Sequence, residues 1–262
     1  MTNHAASQGN WGRRLSWAAL ALTVGGLVAA LVAAAGSGAD LWSFRTGFTI
    51  LRYAFYAAMA GGVLAIIAFF IGRRAQARTG RLNLAALVIA ASFGLYLMSH
   101  VTTAKRVPAI HDVTTDLADM PQFRTLAVRA DNLENIPDEG RPELAALDPQ
   151  RRWEAIHRKA YGDLRGVRLA APPAAALGRV EKLAQSRGWD VAKVDPQAGI
   201  LEATATTRFF RFKDDVVVRV RPDPGQKGGS IVDMRSISRV GGSDVGVNAT
   251  RIREFLADLQ AG

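Results

Sequence analysis

Three long apolar runs occupy the first hundred positions. Leu15 to Ala35 reads LSWAALALTVGGLVAALVAAA, 21 residues without a charge, enough at about 1.5 Å per helical residue to span roughly 30 Å of hydrocarbon. A second uncharged run, Tyr53 to Ile71, opens with Tyr53, Phe55 and Tyr56 at interface depth and ends before Gly72-Arg73-Arg74,. The third, Leu82 to Val101, is less apolar because of Ser92, Ser99 and His100. Each predicts a transmembrane helix. Arg13-Arg14 and Ala33-Ala34-Ala35 would also suit a cleaved signal peptide,, but the first run is longer than a usual signal core. Gly25, Ala29 and Ala33, and likewise Gly61 and Ala65, form small-xxx-small stripes suited to close helix contact or reflect Ala-rich composition alone,.

The pattern then changes. Residues 107–164 are polar and Pro-containing with no sustained period, which predicts an extended arm,. Inside it, Asp148-Pro149 is a helix start, with Trp153, Ile156 and Ala160 on one face of a short helix,. Residues 165–262 alternate strand and helix signals. Gly166 to Leu169 is a short strand and Pro173 to Arg187 a helix, with Leu177, Val180, Leu183 and Ala184 inward,. Four strands follow at Trp189–Val194, Ile200–Thr207, Asp215–Arg221 and Ser230–Val240. Turn-rich Asp195–Gly199 and Pro222–Gly229 join them,. A last helix starts near Ser243 or Asp244 and carries Ala249, Ile252, Phe255, Leu256 and Leu259 on one face. The expected architecture is a three-helix transmembrane region (1–14 before it, 15–106 within it) followed by an α+β two-layer domain. Its antiparallel sheet bears helices on one face, in the order β-α-β-β-β-β-α.

Period 2 sorts the strands into two faces. Val216, Val218 and Val220 point one way with Val232, Met234, Ser236 and Ser238,. Arg219, Arg221, Arg235 and Arg239 point the other way, and such a surface suits an anion, a lipid headgroup or an acidic partner, because guanidinium forks pair with carboxylate and phosphate. A plain solvated face balanced by Asp215, Asp233 and Glu202 is the other reading.

Charge sharpens the topology. The 262 residues carry a formal +10 with a pI near 10.6, which at first suggests a nucleic-acid binder,. Yet residues 1–106 hold ten Lys/Arg against the single acid Asp40, a net +9, and the remaining 156 residues hold 23 basic against 22 acidic groups, a net +1. The basic excess therefore belongs to membrane flanks, and nucleic acid is not an expected partner. Arg13, Arg14, Arg73, Arg74, Arg78 and Arg81 place the N-terminus and second loop in the cytoplasm of a bacterial cell, with Lys105 and Arg106 as weaker opposing evidence,. The chain is then a multi-pass inner-membrane protein with a periplasmic C-terminal domain. Zero cysteines exclude disulfides and thiolate chemistry,.

Ile110-His111-Asp112-Val113-Thr114-Thr115-Asp116, the segment Thr204 to Val220 (TATTRFFRFKDDVVVRV) and Arg235 to Asn248 (RSISRVGGSDVGVN) together closely resemble the domain of unknown function 1499 family over roughly Pro108 to Leu259. The resemblance implies a membrane-associated exported domain behind a hydrophobic N-terminal section. It implies no reaction, cofactor or catalytic residue.

Three clusters carry candidate chemistry. His111, Asp112 and Asp116 suit a general base or part of a metal site, or a structural hinge bonded to the arm's backbone; His4, His100 and His157 are not obviously placed to add a ligand. Lys213-Asp214-Asp215 follows Phe209-Phe210 and Phe212, as a pocket mouth or an exposed charged strand entrance. Gly241-Gly242-Ser243-Asp244-Val245-Gly246 enters a helix without matching a nucleotide-binding motif, so Asp244 is expected to cap it, with Asn248 and Arg251 on the same side,. No cofactor or metal is expected. The favoured function is a non-enzymatic module that binds the lipid bilayer and, through Arg219, Arg221, Arg235, Arg239, Asp244 and Asn248, an anionic ligand or membrane-protein partner. The competing class is a cell-envelope hydrolase or lipid-modifying enzyme using His111, Asp112 and Asp116; an accessory subunit of a membrane complex is a third.

Overall fold

The computed structural model describes residues 2–74 and 78–262, with side chains from residue 10 onward outside that break. Among the described residues there are seven helices and six strands, which fall into two compact units. The first unit is Met1–Thr102 with Phe209–Arg211, and the second is Thr103–Arg208 with Phe212–Gly262.

The first unit holds α1 (Thr2–Gly38), α2 (Phe44–Arg74) and α3 (Gly80–Ala104), all long and apolar enough to cross a membrane. α1 and α2 pair along a seam of small residues. On α1 the buried positions Gly12, Ser16, Ala19, Thr23, Gly26, Ala30, Ala33 and Ser37 alternate spacings of four and three; on α2 Ala54, Ala58, Gly61, Ala65, Ala68 and Gly72 do the same. A mean spacing of 3.5 keeps one stripe facing its partner along the whole length when the helices coil left-handedly. The seam is tight, since a Cβ on Gly61 would lie 2.8 Å from both the Ala19 oxygen and the Thr23 nitrogen. The expected stripe of Gly25, Ala29 and Ala33 is off by one residue for its first two members. A Cβ on Gly25 would meet nothing within 4 Å, and Gly26 and Ala30 hold the contact. Phe93 and Ala90 of α3 are also buried, while Leu84, Val88, Leu95 and Met98 face outward.

The second unit contains β1 (Asp112–Thr114), α4 (Pro142–Ala145), α5 (Pro149–Tyr161), β2 (Val167–Leu169), α6 (Pro173–Ser186), β3 (Asp190–Asp195), β4 (Ile200–Thr206), β5 (Lys213–Pro222), β6 (Ser230–Ser238) and α7 (Val247–Ala261). The sheet is antiparallel in the order β1-β6-β5-β4-β3. β2 shares the β6 edge with β1: Val167 to Leu169 pair with Ser230 to Val232, and Asp112 to Thr114 with Arg235 to Ile237. Local turn chemistry sets the hairpins. Gly199, at φ 65°, takes the left-handed conformation beside the Val220 oxygen, a place where a side chain has no room.

One face of the sheet builds the core. Leu201, Ala203 and Ala205 of β4, Val216, Val218 and Val220 of β5, and Val232 and Met234 of β6 pack with Leu177 and Val180 of α6, Ile252, Phe255 and Leu256 of α7, and Trp153 and Ile156 of α5. Trp189 stacks on Phe255 with centroids 4.8 Å apart. This is the expected α+β fold, with one correction. Residues 107–148 are not a free extended arm, because β1 belongs to the sheet and Ile110, Val113, Ile136 and Leu144 belong to the core. A three-residue strand is too short to show a period, and α4 is a single turn.

Candidate functional site

The second sheet face carries Ile200, Glu202 and Thr204 of β4, Asp215, Val217, Arg219 and Arg221 of β5, and Asp233, Arg235, Ile237 and Arg239 at β6. Alternation places them there, and the register sets Glu202 beside Val217, Val217 beside Arg235, and Arg219 beside Asp233. Val217 is nonetheless fully buried and Glu202 is 1% exposed. The cover is the chain that follows β1. The Glu202 carboxylate accepts backbone N–H bonds from Arg124 (2.8 Å), Thr125 (3.0 Å) and Leu126 (2.7 Å), and the Arg235 guanidinium lies 5.9 Å from the Phe123 ring centroid. Residues 115–132 are therefore a strap across the sheet, pinned by a buried carboxylate that accepts three backbone amides,.

Under the strap the four arginines are spoken for. Arg235 donates from Nε (3.0 Å) and Nη2 (2.7 Å) to the two oxygens of Asp112, which also accepts from Asn132 Nδ2 at 2.7 Å. Arg219 reaches Asp119 at 2.9 Å and Asp233 at 3.4 Å; Arg221 reaches Asp233 at 2.9 Å and Asp116 at 3.2 Å. Thr115 donates its hydroxyl to Asp233 at 3.2 Å. Arg239 donates to both Asp215 oxygens (2.9 and 2.8 Å) and to Thr204 Oγ1 (3.0 Å), and the Asp215 partner raises its pKa further. The expected open arginine surface is thus corrected: Arg219 and Arg235 are pillars inside the fold, and only Arg221 and Arg239 keep 41% of their side chains exposed.

A second polar network lies on the helix side, at the end of the sheet. Arg251 of α7 bonds Asp214 (2.5 Å), Ser236 Oγ (2.9 Å) and Asn248 Oδ1. Asn248 in turn donates to the His111 carbonyl and to Ser238 Oγ, both at 3.0 Å. Asp214 and Asp215, expected as an exposed strand entrance, are 2% and 6% exposed. Asp244 accepts from the amides of Gly246 and Asn248, each at 2.8 Å. It thereby satisfies the start of α7, which begins at Val247, three or four residues later than the sequence suggests. Burial raises the Asp244 pKa.

The HDxxxD cluster does not converge. Asp112 faces Arg235, and Asp116 accepts the amides of Ala118 and Asp119 (3.0 Å each) while meeting Arg221. His111 is 4% exposed, with neither ring nitrogen hydrogen-bonded among the described residues. His157 was not expected to take part, yet its Nε2 accepts the Thr114 N–H at 3.1 Å between Trp153 and Tyr161, and burial pulls its pKa to about 4. Tyr161 is pushed up to about 12 by burial and by Asp244. Asp131, bound by Arg129 at 2.7 Å, is lowered to about 2. His100 belongs to α3, against Tyr96, and the His4 side chain lies outside the described residues. Among the described residues no group of three His, Cys, Asp or Glu is arranged to hold a metal.

Two spaces lie near these networks. The one beside Asp215, Arg239 and Phe123 is about 10 Å³, room for about one water,. The other is an open groove of about 410 Å³ at the start of α7, walled by Trp189, Arg187, Gly246, Thr250, Arg251 and Glu254, a volume in the range of small-ligand sites. Sequence reasoning missed this groove and missed Glu202 as an anchor. The signal for Glu202 was present, as a carboxylate in the middle of the apolar strand Ile200–Ala205.

Residues 112–259, more than half of the chain, match the model of a family described as protein of unknown function (DUF1499). The match begins on the first residue of β1 and ends on the last buried residue of α7. No curated protein matches the chain.

Proposed function

Because the chain belongs to the DUF1499 family, whose description assigns no chemistry, we propose from the site geometry that it is a membrane-anchored binding module rather than an enzyme. The observation that carries this reading is the commitment of Asp112 to Arg235 and Asn132 in the interior. A general acid, base or nucleophile needs a cavity in which to meet substrate; of His111, Asp112 and Asp116, the two carboxylates spend their oxygens on the fold and His111 is buried at 4% exposure. The recognition surface of this reading is the groove at the start of α7. Asp244, Asn248 and Arg251 hold its floor rigid, Trp189 offers an aromatic wall, and Arg187, Thr250 and Glu254 offer polar contacts to a partner protein of the same membrane. Arg221 and Arg239, half-exposed on the second sheet face, add polar surface available to an acidic partner.

The bias of Arg13, Arg14, Arg73, Arg74, Arg78 and Arg81 supports a cytoplasmic N-terminus and a periplasmic second unit in a bacterial inner membrane,. Alkaline phosphatase fused after Val107 is expected to be active; an inactive fusion refutes the orientation. For the binding role, a photo-crosslinking residue at Thr250 is expected to give one discrete adduct in intact cells, and one at Arg151, on the exposed face of α5, none. Adducts at neither position, or equally at both, refute the groove as the recognition surface.

A further inference from the structure

The helical unit carries its charge unevenly. Among residues 1–111 Asp40 is the sole acid, and it follows α1 at one end of the pair. At the other end, about 39 Å away at 1.5 Å per residue, Gly12 meets Gly72: a Cβ on Gly12 would lie 3.1 Å from the Gly72 Cα. That close approach sets Arg13 and Arg14 of α1 at the same end of the helix pair as Arg73 and Arg74 of α2. Arg78 follows four residues after Arg74, and Arg81 stands in the first turn of α3. All six are exposed. With no carboxylate in residues 41–111, the nearby helices supply no counter-charge, unlike the second unit, where arginines are balanced by aspartates.

Apolar and aromatic surface adjoins the same arginines. Trp11 (58% exposed) and Trp17 (53%) flank Arg13 and Arg14, with the Arg14 guanidinium 5.9 Å from the Trp11 ring centroid. Phe70 (60%) precedes Arg73 by three residues, and Leu84 (62%) follows Arg81 by three. Guanidinium groups bordered by exposed apolar side chains match a molecule with a phosphate at one end and acyl chains at the other.

We propose that this end of the helical unit is a binding site for anionic phospholipid, in which Arg13, Arg14, Arg73 and Arg74 hold the phosphate and Trp17 and Phe70 lie along the acyl chains. The cluster then does more than orient the spans: it selects the lipids around them, as basic pockets between transmembrane helices do elsewhere. The chemistry recognised is a phosphodiester anion with no cation beside it, and the flanking apolar surface assigns it to lipid rather than to free phosphate.

The test is native mass spectrometry of the full chain released from vesicles of equal phosphatidylglycerol and phosphatidylcholine. Phosphatidylglycerol is expected to be retained in preference. Since each basic residue near an anionic surface is worth about fivefold in binding, R73Q/R74Q is expected to lower that preference by about twenty- to thirtyfold. R13Q/R14Q, on the other helix, is expected to do the same, so that misfolding of one variant leaves the reading open to refutation by the other. R45Q/R52Q removes equal charge near Asp40 and is expected to leave the preference unchanged. Equal retention of the two lipids, unchanged preference in both double variants, or an equal loss in R45Q/R52Q overturns the site. Displacement of phosphatidylglycerol by millimolar inorganic phosphate alone overturns its assignment to lipid.

Discussion

Asp112 and Arg235 form a bidentate ion pair in the interior, with side chains 1% and 7% exposed, between strands far apart in sequence. In the register Arg235 stands opposite Thr114, and Asp112 opposite Ile237, so the pair crosses the β1–β6 ladder diagonally and ties the start of the strap to the middle of the sheet. A pair of this kind costs desolvation to bury, and its mutual attraction offsets that cost only while both partners are present.

Arg235→Met or Asp112→Leu is therefore expected to destabilise the second unit by about 3–5 kcal/mol, because each leaves the other charge buried without its partner. The double variant is expected to recover a large part of the loss. Chemical denaturation of all three variants, followed by near-UV circular dichroism, measures this; single variants within 1 kcal/mol of the parent protein would refute the assignment.

Glu202 latches the strap. Glu202→Gln replaces a charged acceptor of three N–H groups by a neutral amide and is expected to cost about 2 kcal/mol, the order of a hydrogen bond to a charged group. The strap then opens more often, and trypsin is expected to cut after Arg124 and Arg129 faster than in the parent protein. Unchanged cleavage at those two sites would show that other contacts hold the strap.

In the helical unit the seam discriminates between neighbouring glycines. Gly61→Val is expected to separate α1 from α2, because the added carbon collides with the backbone near Ala19 and Thr23, whereas Gly25→Val points into open space. Thermal unfolding of the two variants in detergent reads this out, with the midpoint expected to fall strongly in the first variant and to stay near that of the parent in the second.

His157 makes stability depend on pH. Burial lowers its pKa from 6.5 to about 4 in the folded state, so the unfolded chain binds its proton more readily. The stabilisation it gives is complete above pH ~6.5 and is lost as the pH falls toward 4, about 3 kcal/mol in all. His157→Gln keeps an acceptor for the Thr114 amide and removes the titration. The loss of stability between pH 7 and pH 4.5 is expected to be smaller in this variant than in the parent; an equal loss would assign the acid sensitivity to other groups.

Much of this was legible without coordinates. Uninterrupted apolar length is a one-dimensional property, and it marks α1, α2 and α3 because the requirement to cross hydrocarbon is met residue by residue. Alternation and turn chemistry are nearly as local, which is why α6 and the strands β3 to β6 emerge close to their observed limits. The family motifs lie in one sequence as contiguous strings. Three features depended on the packed chain. β1 is three residues long and has no period of its own; it becomes a strand because β6 offers it an edge. The small-residue seam follows Gly26 and Ala30 rather than Gly25 and Ala29, since only the partner helix decides which of two adjacent stripes is covered. Above all, alternation set four arginines on the second sheet face with Asp215 and Asp233 beside them, which do pair with Arg239 and Arg221, but was silent on what covers that face. The answer lies about a hundred residues away, in Asp112, Asp116, Asp119 and the strap held by Glu202, since the free energy of a buried charge depends on its partners in space and not on its neighbours in the chain.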